Sequence, residues 1–217
     1  MTGAARIFKS GVVLVFCLML SGTLISGAST RSAVAADAGQ SPRQQIERLN
    51  AALLDVMQNA DSWGYTGRFE RLNPVLSKLF DFKLMGRVAL GAHWKTLDDT
   101  QRKKVVDAFG HLSIATFAAR FDGYSGEKFE IVSAEKSVRD TILVKTRLIK
   151  SNGEPVALNY LTRKSGDAWR IIDIFLDARF SELARLRADY TSVMRREGYD
   201  ALISTINARI GDLSRQG

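Results

Sequence analysis

Residues 128–177 read KFEIVSAEKSVRDTILVKTRLIKSNGEPVALNYLTRKSGDAWRIIDIFLD, and the texture of this stretch decides the fold. Four β-like runs, Lys128–Lys136, Thr141–Lys150, Glu154–Lys164 and Ala168–Asp177, alternate with turn sequences. The turns are Arg139-Asp140, Ser151-Asn152-Gly153 and Ser165-Gly166-Asp167. Links this short join antiparallel neighbours, because a parallel pair needs a long crossover. In the second run Ile142, Val144 and Leu148 alternate with Lys145 and Arg147, so one face is apolar and the other at least partly polar. The fourth run, Trp169 to Leu176, is apolar at nearly every position, which predicts a central strand.

On both sides of the meander the period becomes helical. Ser41-Pro42 offers an N-cap followed by proline at the first helical position, and Ile46, Leu49, Leu53 and Val56 follow at helical spacing. Trp63-Gly64-Tyr65-Thr66-Gly67 interrupts that pattern. Apolar segments at Phe69–Phe80 and Phe82–Leu90 come next, and Asn73-Pro74 inside the first predicts a kink or a helix start. Gly91 to Leu97 reads as a connector. The longest helix is expected over Asp98–Phe121, with Asp98 and Asp99 at the positive end of its dipole. Val106, Phe109, Ser113, Phe117 and Phe121 line one face, with Val105 and Leu112 beside them. Asp122-Gly123-Tyr124-Ser125-Gly126 then reverses the chain. Beyond the meander Leu183, Leu186, Tyr190 and Val193 share a face, Gly198 breaks the run, and Leu202, Ile206, Ile210 and Leu213 form a last stripe. The class is α+β: a four-stranded antiparallel sheet covered by several helices.

The N-terminus reads as an export signal. Arg6 and Lys9 precede an apolar run from Gly11 to Leu20 that is too short to cross a bilayer, and Ala33-Val34-Ala35-Ala36 supplies small residues for cleavage after Ala35 or Ala36. An uncleaved anchor is the alternative. Cys17 lies inside the apolar run behind bulky Phe16, which argues against a lipoprotein signal. Residues 1–36 are thus the expected signal peptide and 37–217 a single domain, long enough for a sizeable core. That domain has no cysteine, hence no disulfide, thiol nucleophile or thiolate metal site. Loss of Arg6, Lys9 and Arg31 lowers the formal charge from +8 to +5. This modest balance suits transient contact with an anionic membrane surface. Export and the lack of a concentrated basic block disfavour nucleic acid.

Catalytic signals are poor. His93 and His111 fall in no metal-ligand spacing, and no nucleophile elbow, phosphate loop or dinucleotide fingerprint occurs. No metal or cofactor is called for, and the chain does not read as an enzyme. Asp173 stands out as a carboxylate amid Ile171, Ile172, Ile174 and Phe175. A structural hydrogen bond or ion pair is expected for it, with a raised pKa and a general-base role as the alternative.

Several segments, in order, resemble one family. Thr116–Glu127 (TFAARFDGYSGE) looks like the helix-to-strand junction of the MlaC, or toluene-tolerance, family of auxiliary transport proteins. Phe82–Gly91 resembles the segment before its long helix, Asn152–Val156 its hairpin, Trp169–Ile174 its last strand, and Tyr190–Leu202 its terminal helices. Asn159-Tyr160-Leu161 and Phe180–Ala184 look most like the hopanoid-associated branch, HpnM. One departure is clear: where the family often has an acid-glycine step, this chain has Asp177-Ala178, which is strained if the turn needs φ > 0.

The resemblance implies a periplasmic shuttle that carries a phospholipid between an outer-membrane lipoprotein complex and an inner-membrane ABC transporter complex. Its acyl chains would lie in an apolar pocket between sheet and helices. A hopanoid is the alternative cargo, because a rigid ring system also fits an apolar slot. The candidate lining residues are Leu84, Met85, Val88, Phe117, Phe121, Tyr124, Val144, Leu158, Tyr160, Ile172 and Ile174, with Arg147 as a head-group contact. Two other readings stay open. A small-molecule enzyme would centre a closed polar pocket on Asp173. A non-carrier interaction module of a hopanoid or envelope complex would show a filled core and an exposed apolar patch.

Overall fold

The computed structural model describes residues 40–216, so the expected signal peptide lies outside the described residues. The chain opens with three helices, α1 (Pro42–Gln58), α2 (Ala60–Leu79) and α3 (Phe82–Leu90). A 3-10 turn (Gly91–Thr96) leads into the long α4 (Asp99–Arg120). The meander follows as β1 (Lys128–Lys136), β2 (Thr141–Ile149), β3 (Pro155–Ser165), β4 (Ala168–Leu176) and β5 (Phe180–Ser181). Helices α5 (Glu182–Arg196) and α6 (Tyr199–Gln216) close the chain. The sheet is antiparallel in the order β1-β2-β3-β4-β5.

The expectation of four strands is corrected to five. The two-residue β5 pairs Phe180 with Leu176 and Ser181 with Phe175. It went unseen because two residues carry no period. β4 is therefore not central but next to an edge. Its apolar run reflects cover of its free edge: Asp81 N donates to Ile171 O at 2.9 Å, and Phe80 bridges Ile171.

Register pairing places Phe129, Ile131, Ile142, Val144, Leu158, Tyr160, Thr162, Ile171 and Ile174 on the helix-covered face. Bulges at Val132 in β1 and Ile172 in β4 shift the register, so alternation read along either strand fails past them. The β2–β3 ladder is patched by side chains. Thr146 N donates to Asn159 Oδ1 at 3.1 Å, Thr146 Oγ1 donates to Leu158 O, and Thr162 Oγ1 donates to Ile142 O. Those bonds allow three polar side chains to be buried in the sheet.

In α1 the capping box at Ser41 and Gln44 fixes the start, and the stripe Ile46, Leu49, Leu53, Val56 is wholly buried. The expected break at Trp63–Gly67 is a kink inside α2. Only Gly64 is non-helical (φ 57°, ψ −174°), and Pro74 sits within the helix without disrupting it. Trp63 folds back over Gly67, where a Cβ would come within 2.8 Å of the Trp63 Cβ, and the Arg71 guanidinium lies 3.8 Å from the indole centroid. α4 is buried over a wider arc than expected, since Phe109 is inside and Phe117 and Phe121 pack on the core as read, but the small residues beside them are buried too. Val105, Phe109, Gly110, Ile114, Ala115 and Ala118 are inside, whereas Val106, Ser113 and Phe117 are half-buried. The helix packs against α2, α3 and α6, and small residues let them approach. Arg68, itself buried, donates to Ala118 O near the end of α4 and to Ala60 O.

The β4–β5 link has three residues, Asp177, Ala178 and Arg179; its turn has Asp177 at φ 49° and Ala178 at φ 60° and is closed by Arg179 N donating to Leu176 O at 3.1 Å. Alanine pays a steric penalty of about 1–2 kcal/mol in that region. Replacing Ala178 with glycine should stabilise the protein by about 0.5–1 kcal/mol, read as a higher denaturant midpoint at unchanged m-value. An unchanged or lower midpoint would show that Ala178 carries no strain.

Candidate functional site

Two grooves mark the surface, one between a helix and the sheet and one between helices. The first, about 350 Å³, runs between α1 and β1. Arg43, Glu47, Asn50, Ala51 and Leu54 form its helical wall, and Phe129 and Ile131 form its strand wall. The second, about 340 Å³, lies between α2 and α4, with Phe82 and Ile114 at its floor and Asn73, Ser77, Asp107 and His111 among its polar lining. Gly110 shapes that floor, since a Cβ there would come within 3.1 Å of the Phe82 ring.

A row of aromatic rings joins the grooves. From Phe129 the centroid steps are 6.2 Å to Phe121, 5.7 Å to Phe117, 5.8 Å to Phe80 and 5.5 Å to Phe82. The row continues through Phe109 to Tyr190. It therefore runs from one groove wall to the other through the seam between α4 and the sheet.

The expected lining residues divide in two. Val144 and Tyr160 pair across β2 and β3, Ile174 pairs with Tyr160 from β4, and Leu158 lies next to them on the same face. Phe117 and Phe121 pack against the same core from α4. These six form one apolar surface. Met85 and Val88 join the core from α3, which packs mainly on α5 and α4, while Leu84 is half-buried near the start of that helix. Ile172 is the bulge residue and stands outside the alternation. Tyr124 is exposed in the loop after α4. Arg147 pairs with Glu130 and Ala157 on the outer face of the sheet, away from the helices. Sequence reading missed Asn50, Phe129, Ile131 and Phe80. The alternation of Phe129 and Ile131 with Lys128 and Glu130 was the available signal for the strand pair. Asn50 had no signal, because its burial depends on β1.

Electrostatics at the seam is structural. Burial drives the Asp173 carboxyl above its usual range, opposed by hydrogen bonds from Ser181 Oγ (2.6 Å) and the backbone N–H groups of Leu183 (3.1 Å) and Ile174 (2.7 Å). Ser181 Oγ in turn accepts from Ala184 N at 2.9 Å, so Asp173 ties β4 to the N-terminal cap of α5. Burial likewise pushes the Tyr160 and Tyr190 phenols up. Among the described residues no cluster of three His, Cys, Asp or Glu could hold a metal ion. The exposed His111 packs on the Phe69 ring at 4.8 Å.

The fold is α+β, with a row of aromatic rings between helices and sheet. The chain belongs to the MlaC protein family, whose profile matches residues 47–208. A search of curated proteins finds no match. Among solved structures it is similar to the phospholipid-binding protein from Ralstonia solanacearum, which was solved in complex with a phospholipid. The TM-score is 0.70 at 21% identity, covering 82% of this chain and 99% of that one. Among the described residues no helix is long and apolar enough to cross a membrane.

Asp173→Ala should cost about 2–4 kcal/mol by stranding buried donors. Asp173→Asn keeps an acceptor for both backbone N–H groups and should cost less. The raised folded-state pKa means that Asp173 contributes stability below its unfolded value of 3.8, which is lost as pH rises through the folded value. The Asn variant should therefore lose less stability than the wild type between pH 3.8 and neutrality, measured by denaturant titration across pH. Identical pH profiles would count against a buried titrating Asp173.

Proposed function

We propose that this protein is a periplasmic carrier that encloses a phospholipid between its helices and its sheet and moves it between membranes. The observation that carries the reading is the row of phenylalanine rings from Phe129 to Phe82, which links two surface grooves through the apolar seam. Family membership and the phospholipid-bound Ralstonia protein support it.

The physics asks for little else. Each buried CH₂ is worth about 0.8 kcal/mol, so a diacyl lipid leaves a bilayer slowly without an apolar host. The host needs a dry seam that opens, not a nucleophile. Val144, Leu158, Tyr160, Ile174, Phe117 and Phe121 would hold acyl chains, with Met85 and Val88 behind them. Residues 1–36 would direct export, leaving 37–217 as the carrier domain. The outer-membrane donor would be a lipoprotein complex and the inner-membrane acceptor an ABC transporter, with brief contact at each membrane surface. The HpnM-like segments Asn159–Leu161 and Phe180–Ala184 keep a hopanoid as the alternative cargo.

Native mass spectrometry of the purified protein, with organic extraction, tests this directly. About one phospholipid per chain is expected, and a hopanoid in its place would reassign the cargo. Leu158→Trp should fill the seam and reduce lipid uptake from labelled vesicles at least about tenfold, at an overpacking cost of about 1–3 kcal/mol. A lipid-free protein that takes nothing from vesicles would overturn the carrier and favour the interaction module.

A further inference from the structure

Helix α1 presents an ordered change of polarity to the groove it shares with β1. Arg43, Glu47, Asn50 and Leu54 follow at helical spacing on one face. Arg43 Nε donates to Glu47 Oε1 at 3.0 Å in the exposed part. Asn50 comes next, then Leu54 beside Phe129 and Ile131. The step from Glu47 to Asn50 rises about 4.5 Å along the helix, and that from Asn50 to Leu54 about 6 Å. Charged, neutral polar and apolar surfaces thus succeed one another within a few ångströms each.

Asn50 is the anomaly. It is 7% exposed, it lines the groove, and its Oδ1 has no hydrogen-bond partner among the described residues. It neighbours Leu49 and Leu53 of the buried stripe. Packing alone would favour leucine there, since an unpaired buried amide is unfavourable and a leucine has nearly the same shape. With no competing bond, the amide can present its NH₂ donor to a ligand in the groove.

We propose that the α1–β1 groove grips the glycerol-ester segment of a diacyl glycerophospholipid, with the Asn50 amide donating to an ester carbonyl. The inference rests on the lipid-carrier reading and adds to it the register of the bound lipid and the residue that reads its ester level. The same order of polarity runs along such a lipid: a charged phosphate, neutral ester carbonyls, then hydrocarbon. The phosphate-bearing head lies beside the Arg43–Glu47 pair, where the guanidinium suits phosphate oxygens. The esters lie at Asn50, and the chains start at Leu54 and Ile131 and run towards Phe121. A triterpenoid ring system has no carbonyl to offer at that level.

The test compares two short-chain probes in calorimetric titration of the protein: dioctanoyl phosphatidylcholine and its dioctyl ether analogue, which lacks the carbonyls. The ether is intrinsically more apolar, so each preference is referred to Asn50→Leu. The wild-type ester-to-ether affinity ratio should exceed that of Asn50→Leu by about 3–10-fold, the range of one neutral hydrogen bond. Asn50→Leu should also melt at a higher temperature than the wild type, which separates lost recognition from lost folding. Equal ratios in the two proteins would overturn the assignment of Asn50 while leaving the carrier reading intact. If neither protein takes either probe, and extraction also yields no lipid, both the assignment and the carrier reading fall.

Discussion

Val144, Tyr160, Thr162 and Ile171 lie on the helix-facing side of the sheet, each no more than 1% exposed, and among the described residues no second sheet covers them. The helices alone must keep this face dry. That requirement fixes where α1, α2, α3 and α5 can lie, because each touches β4 and α1 also spans β1 and β2. A helix layer on a twisted sheet meets it along lines rather than as a continuous plane, which leaves seams at its edges. The groove between α1 and β1 is such a seam, and the phenylalanine row fills the line behind it.

The polar groups near this face are arranged so that dryness and order coexist. Asp173 holds β4 to the cap of α5 through Ser181 and Leu183. Arg68 satisfies carbonyls at Ala60 and Ala118, near the ends of two packed helices. Thr146, Asn159 and Thr162 bind within the sheet rather than reach into the core. Each of these buried groups is satisfied within the frame of helices and sheet.

The meander was legible because its turns are chemically explicit. Gly153 and Gly166 adopt φ of 85° and 61°, and the Arg139-Asp140 turn has both residues at positive φ, as hairpins this tight require. The α1 stripe was legible because α1 buries a single face. The α4 face was legible in part: Phe109 is buried as read, but the helix packs against three others and also buries Gly110, Ala115 and Ala118, which periodic apolarity does not mark. Of the candidate lining residues, those on β2, β3 and the end of α4 converge on one surface. Ile172 and Arg147 do not, the first because a bulge breaks strand parity and the second because parity puts it outside.

Local chemistry determined the elements of this protein, their order, the hairpin turns and the α+β class, because caps, glycines and apolar periods act within a few residues of the chain. Resemblance of ordered segments pointed to the MlaC family before any contact was known. The tertiary structure decided what no local signal carries: the fifth strand, the two bulges, the ring row and the burial of Asn50. Each of these depends on a partner distant in sequence, and burial and register are properties of the pair rather than of either residue.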